Sequence, residues 1–420
     1  MISSQQELGT PALPLPSSPS ASSIHEDLRA AAANRGRARI HTVFVLRTMP
    51  PYRIPFLSSL AIHSPALDLT VVAAEGASER GKLPSVSTPL AFRVVRASGR
   101  TLEVWKFTLV WIRFSLSRLR ALAPDVLVLE GSFGIISHVP LALWARLTGR
   151  KVVFWVAGHT KPSTTGAAKW LRESYMRAAL RLGHQFVAYS SSAAKWLVRL
   201  GATENSVRVA QNSIDVDRIA ANSEGNAAAA AMLRTKLGIG DAPVIMYVGA
   251  LARDKRVERV LALHERLRAQ GTRVHTVIVG DGPERETLQP QAMAMDGVHL
   301  VGRIVEGVDA YFALGDLFVL PGLGGLAINQ AMASGTPVLC TTADGTERDL
   351  IVEGITGHYR PDFDVGEWAE LATSILTDPQ RKQRMGAAAK SHVLRTASLT
   401  GMCDVFCSSV AAAFGAPTTT

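Results

Sequence analysis

Cysteine is nearly absent: Cys340, Cys403 and Cys407 are the only three in 420 residues. Their number and spacing exclude a disulfide framework and a structural zinc site. Cys403 and Cys407 stand one helical turn apart and read as core-facing thiols, so a reducing compartment is expected. No G-x-G-x-x-G follows the first apolar run at Leu46–Tyr52, which argues against a dinucleotide oxidoreductase. Zinc-finger spacing and an RNA-binding aromatic signature are both missing, so nucleic acid is not an expected partner. No uncharged apolar run is long enough to span a bilayer. Residues 1–23 carry Pro11, Pro14, Pro16 and Pro19 and no apolar run behind a basic start. They read as a disordered tail and not as a secretory leader.

What the chain does contain is ample core material, with 47% hydrophobic and 19% charged residues. Its length suits two domains. The balance is basic, 45 Lys+Arg against 35 Asp+Glu. Such a surface attracts phosphorylated small molecules or anionic lipid. The expected location is cytoplasmic, with peripheral contact at the inner face of the cell membrane.

Short apolar runs alternate with amphipathic stretches from Ile40 onward. Strands are expected at Ile40–Leu46, Leu67–Ala74, Val126–Leu129, Lys151–Val156 and Gln185–Tyr189, with helices at Phe56–His63, Leu102–Ala123, Ser137–Leu147 and Ala167–Leu182. Continuous apolar strands separated by helices imply a parallel sheet covered on both faces. A second series has strands at Val244–Val248, Val274–Val279, Val298–Val301, Leu317–Leu320 and Pro337–Thr341. Its helices are expected at Lys255–Gln270, Glu284–Met293, Glu306–Leu314 and Leu326–Ser334. The expected organisation is a tail (1–37), a first Rossmann-like domain (38–215), a linker region with one helix near Ala228–Leu237 (216–242), a second Rossmann-like domain (243–385) and a C-terminal helix and tail (386–420). The fold class is α/β, two doubly wound domains facing a cleft, with C-terminal helices crossing back. Ligands in such a fold sit at the carboxyl ends of the strands.

Four segments of the second domain leave strands through glycine. Tyr247–Arg256 turns at Gly249 and brings Arg253 and Lys255 beside a helix start, which suits a diphosphate. A solvated basic turn would have the same composition. Val279–Glu284 contains Gly280 and Gly282, and Gly302 is followed by Arg303 and Ile304. Pro321–Pro337 places Gly322, Gly324 and Gly325 ahead of Leu326, where backbone N–H groups can approach a phosphate. Asn329 and Gln330 follow one turn later, where a carboxamide can bond a ribose or sugar hydroxyl.

In this order the four segments resemble the retaining glycosyltransferase family 4, whose fold is called GT-B. Val187–Ser191 and Val209–Asp215 resemble that family's strand-Ser segment and its crossover. Asp344–Glu347 and Glu353–Gly357 resemble two further turns, and Pro50–Phe56 resembles the first loop of a bacterial polysaccharide-biosynthesis subgroup. The resemblance implies a donor site for a nucleotide sugar built from Gly249, Gly280, Gly282, Arg303, Ile304, Gly322, Gly324, Gly325, Leu326 and Gln330. It implies an acceptor site at Tyr52, Arg53 and His159, taking a glycan or lipid-linked acceptor, and Glu130 joins them by position, at the end of another first-domain strand facing the same cleft. His159, Arg253 and Lys255 are the candidate catalytic residues. A histidine that merely caps a loop is the plainer reading of His159. No metal and no cofactor is implied.

Two departures from the family pattern stand out. Gly249-Ala250 occupies the place of Gly-Arg, with Arg253 a possible replacement for the absent arginine. The family's Glu-x7-Glu falls on Gly322 and Gln330. The altered pair leaves open an active variant site or a non-catalytic sugar-nucleotide-binding or scaffold subunit. Leu102–Ala123 combines Trp105, Phe107, Trp111 and Phe114 with Lys106, Arg113, Arg118 and Arg120. As a helix it would suit an anionic membrane surface or an ordinary buried position.

Overall fold

The computed structural model describes residues 21–75, 89–104, 107–158 and 166–415. The first part of the chain runs α1 (Ala21–Ala33), β1 (Ile40–Leu46), α2 (Arg53–His63), β2 (Leu67–Glu75), β3 (Arg93–Val104), β4 (Phe107–Arg113), α3 (Leu116–Leu122), β5 (Val126–Glu130), α4 (His138–Leu147), β6 (Lys151–Val156), α5 (Ala167–Leu182), β7 (Gln185–Ala188), α6 (Ser191–Arg199) and β8 (Val207–Val209). Its eight strands form one sheet in the order β4-β3-β2-β1-β5-β6-β7-β8. Only β3 and β4 pair antiparallel. Along β1 successive side chains alternate between the two faces, Phe44 and Leu46 on one, Val43 and Val45 on the other. Both faces are covered, so both sets are buried and the strand reads as a continuous apolar run.

The second part runs α7 (Val216–Ala221), α8 (Ser223–Lys236), β9 (Val244–Val248), α9 (Glu258–Ala269), β10 (His275–Val279), α10 (Arg285–Met293), β11 (Val298–Gly302), α11 (Val308–Leu314), β12 (Leu317–Leu320), α12 (Leu326–Ala333), β13 (Val338–Cys340), α13 (Glu347–Leu350), β14 (Gly357–Tyr359), α14 (Val365–Leu376), α15 (Pro379–Thr396) and α16 (Leu399–Ala413). Its sheet is wholly parallel, in the order β11-β10-β9-β12-β13-β14. Strand order reverses between β1 and β5 in the first sheet and between β9 and β12 in the second. Each reversal opens a crevice at the carboxyl edge.

The last helix crosses back. α15 packs on α12 and α14 of the second domain, whereas α16 packs on α1, α2 and β7 of the first. Phe406 of α16 sits between Phe44, Phe56 and Trp155, with ring centroids 5.6, 5.1 and 5.3 Å away. Cys403 and Cys407 are buried on the same helix, and burial pushes both thiols up to about 12.

Three expectations are corrected. Leu102–Ala123 is not one helix. Leu102 belongs to β3, Phe107–Arg113 is β4, and only Leu116–Leu122 is helical. Val110 and Ile112 are buried while Trp111 and Arg113 are exposed, a period of two. Apolar residues on all sides had obscured that period; Trp105 and Lys106 lie outside the described residues. The tail expected over 1–37 contains α1, because Ile24, Leu28, Ala31 and Ala32 fall on one helical face and are buried. The linker region holds two helices, and α8 packs on α11 as part of the second domain.

Candidate active site

At the carboxyl edge of the second sheet the loops bond to one another beyond the strands. Gly249 N donates to Val279 O (3.0 Å), Leu251 N to Asp281 O (3.0 Å) and Glu284 N to Leu251 O (2.9 Å). Gly280 must be glycine. A Cβ there would lie 1.8 Å from Gly249 O, and its φ of +154° is one L side chains rarely adopt. The loop after β12 docks on the other side: Leu323 N donates to Asp254 O (2.9 Å) and Lys255 Nζ to Leu323 O (2.5 Å). A Cβ on Gly322 would meet Asp254 O at 2.5 Å. The glycines therefore serve first to let three loops lie backbone to backbone.

This interlock fixes the turn that carries the cations and, through its Nζ, Lys255 itself. Arg253 and Lys255 form a short 3-10 turn between β9 and α9; Arg253 is exposed and Lys255 half-buried. Gly325 is the N-cap of α12, and a Cβ there would be 2.1 Å from Asp344 Oδ2. Burial pushes the Asp344 carboxyl above its usual range, against hydrogen bonds from Thr346 and the nearby Lys255. Gly324 faces Leu320, and Leu326 opens α12. Arg303 is exposed just past β11, and Ile304 packs on the second-domain core.

The two carboxamides on α12 differ. Asn329 is fully buried and spends its Nδ2 on Asn212 O (3.0 Å) and Ser213 Oγ (3.2 Å), tying α12 to the crossover segment. It is not placed to meet a ligand. Gln330 is half-buried and its Nε2 donates to Asp309 Oδ1 at 2.5 Å.

The first domain contributes a buried charge cluster. Arg53 begins α2 and Glu130 ends β5, on either side of the β1–β5 reversal. Arg53 Nη1 donates to Glu130 Oε1 at 2.7 Å and Nη2 to Tyr189 Oη at 3.0 Å. The guanidinium lies 4.7 Å from the Trp155 ring centroid. Arg47 N donates to Glu130 Oε2 at 2.6 Å. Burial opposes ionisation of Glu130, yet Arg53 and the Arg47 amide outweigh it and hold the carboxyl below its usual range. Tyr52 beside it is exposed. His159 lies outside the described residues.

The two edges meet through the turn after β13. Asp349 Oδ2 accepts from Ser191 N at 2.7 Å, and Ser191 Oγ donates to Asp349 Oδ1. Gln211 Nε2 donates to Thr346 O at 3.3 Å. Asp309 and Asp349 were missed in the sequence, and Asp344 and Tyr189 stood only inside segments read by resemblance, with no role assigned to them. Asp344 and Asp349 stand close to Gly345, a strand-end turn crowded with carboxylates, which is a usable signal. Asp309 finds its partners Arg218 and Gln330 only in space.

Two family models tile this architecture. The model described as "Glycosyltransferase Family 4" matches residues 56–218, and "Glycosyl transferases group 1" matches residues 231–392. The chain belongs to glycosyltransferase family 4. Among curated members of similar sequence is an alpha-D-kanosaminyltransferase of Streptomyces kanamyceticus, 33% identical over 37% of this chain and 42% of the relative. Another is a GDP-mannose-dependent alpha-mannosyltransferase of Mycobacterium tuberculosis, 30% identical over 55% of this chain and 56% of the relative. The chain spans about half the length of the curated relatives it matches. The GT-B fold is shared with Anabaena HepE in complex with UDP, at 16% identity and a TM-score of 0.63 over 87% of this chain and 97% of that one. A sucrose-phosphate synthase of Thermosynechococcus elongatus has a TM-score of 0.64 at 15% identity, over 87% of this chain and 96% of that one.

Proposed function

We propose that this family 4 member transfers a sugar from a nucleotide-sugar donor to a glycan or lipid-linked acceptor, with retention of configuration, in cell-surface polysaccharide biosynthesis. The observation that carries the reading is the Lys255–Leu323 interlock. It holds Lys255, with Arg253 exposed on the same turn, and the start of α12 at the crevice where strand order reverses in the second sheet. Departure of a nucleoside diphosphate builds negative charge on its phosphates. Pre-fixed cations stabilise that charge with little reorganisation. Lys255 and Arg253 fill this role, and Gln330 takes a hydroxyl of the donor. The acceptor lies against the opposite edge near Tyr52 and the Arg53–Glu130 pair, which shapes that wall and is not itself a proton carrier because its charges are spent on each other. Retention fits front-face attack, with the leaving diphosphate taking the acceptor proton.

The relatives named for GDP-mannose and the neighbour bound to UDP make those two nucleotides the first to try. A thermal-shift screen against UDP-, GDP- and dTDP-sugars tests the donor assignment, because a ligand that binds only the folded state raises the midpoint. An anionic membrane is proposed as the acceptor-side surface. Trp111 and Leu116 are exposed beside Arg113, Arg118 and Arg120. Among the described residues no helix is long and apolar enough to cross a membrane.

A further inference from the structure

Gln330 sits in the second turn of α12, which starts at the carboxyl edge of the second sheet. Its amide points at α11, whose first turn lies at the same edge and carries Asp309. Gln330 Nε2 donates to Asp309 Oδ1 at 2.5 Å, and Arg218 Nη2 on α7 donates to Asp309 Oδ2 at 2.9 Å. Asp309 is largely buried, with 12% of its side chain exposed, whereas Arg218 is 58% exposed.

An amide can face a carboxylate only through its NH2, so Asp309 decides which way Gln330 is turned. The carbonyl Oε1 is left on the opposite side of the group, as a hydrogen-bond acceptor. Arg218 pairs with the other carboxylate oxygen and holds Asp309 in place. A carboxylate at position 330 would instead lie within hydrogen-bond distance of a second carboxylate, where two charges cannot both persist without cost.

We infer that Asp309 is a positioning residue that orients Gln330 as a neutral acceptor for a hydroxyl of the nucleotide donor, and that the Asp309–Arg218 pair makes position 330 intolerant of glutamate. This rests on the reading that the second domain binds a nucleotide sugar. The negative charge is thereby carried one helix away, at 309, and position 330 contributes a dipole.

The test is a double-mutant cycle on the full chain. UDP, GDP and dTDP binding are measured by titration calorimetry for wild type, Q330E, D309N and Q330E/D309N. Q330E is expected to weaken binding at least about tenfold, in line with a like-charge clash near a ligand. Q330E/D309N exchanges the two groups, so that an amide at position 309 donates to a carboxylate at position 330. It is expected to return within about threefold of wild type, an energetic coupling between touching residues. Q330E alone is expected to regain affinity on acidification, as one carboxyl of the pair takes up a proton, while wild type does not. A merely structural clash would not give that pH-dependent recovery. If wild type binds a nucleotide and Q330E binds it equally well, or the double variant is no better than Q330E, the inference falls alone. If wild type binds none of the nucleotides, the donor-site reading falls and the inference with it.

Discussion

The Asp349 carboxylate of the second domain accepts from both the backbone N–H and the hydroxyl of Ser191, the first residue of α6 in the first domain. One side chain thus caps a helix of the opposite domain and holds the two edges of the cleft together.

Removing that cap is expected to loosen the domains. Asp349→Ala should lower the thermal midpoint by about 1–2 °C, the usual consequence of losing a helix cap in a protein of this size. Burial pushes the Asp349 carboxyl up from its usual range, more than the Ser191 bonds pull it down. A raised carboxyl contributes stability that is fully present below its unfolded value and fades as pH rises through the folded one. The midpoint of wild type should therefore exceed that of Asp349→Asn by more at about pH 5 than at neutral pH. A constant difference across that range would remove this account of Asp349.

Gly322→Ala tests the loop interlock. The added Cβ meets the backbone of Asp254 and Lys255, which cannot rotate aside as a side chain would. We expect about 2 kcal/mol of destabilisation in chemical denaturation and weaker nucleotide binding, because Lys255 is carried on the displaced loop. Unaltered stability would mean the loops are not in contact in solution.

The Arg53–Glu130 pair makes a third case. Each side chain is 13% exposed, so cutting one leaves the other buried and uncompensated. Glu130→Gln or Arg53→Met alone should cost about 3–5 kcal/mol, and the double variant less than the sum. The Glu130 carboxyl is held below its usual range. Its contribution is present above the unfolded value and lost as pH falls through the folded one. Glu130→Gln should accordingly lose less stability than wild type on acidification, as followed by denaturation midpoints through the acid range.

Much of this architecture was legible in the sequence, for definite reasons. Parallel strands buried on both faces give unbroken apolar runs, and Ile40–Leu46, Lys151–Val156, Val244–Val248 and Leu317–Leu320 begin and end in the structure where the runs do. The glycine turns were visible because a strand end with close backbone neighbours tolerates nothing larger, as Gly280 and Gly322 illustrate. The β3–β4 hairpin was hidden because apolar residues occupy both of its faces, with Leu102 and Trp111 exposed beside Arg113 and with Val110 and Ile112 buried, mimicking a helix that is apolar all round. The edge strands Val207–Val209 and Gly357–Tyr359 are too short to carry a period. Within the site, residue types were readable but partnerships were not. Nothing local to Gln330 points to Asp309, and nothing in Asn329 reveals that its amide is spent on Asn212 and Ser213.

The central claim, a donor site built on the Lys255 interlock that supports transfer, has one direct measurement. Purified wild type and Lys255→Ala are incubated with UDP-, GDP- and dTDP-sugars and a crude lipid or polysaccharide extract, and the released nucleoside diphosphate is quantified. The account predicts release from at least one donor, dependent on the extract, and a loss in Lys255→Ala of about 2 kcal/mol or more in transition-state stabilisation, roughly thirtyfold. No release from any donor with any extract, or equal release by wild type and Lys255→Ala, would contradict it.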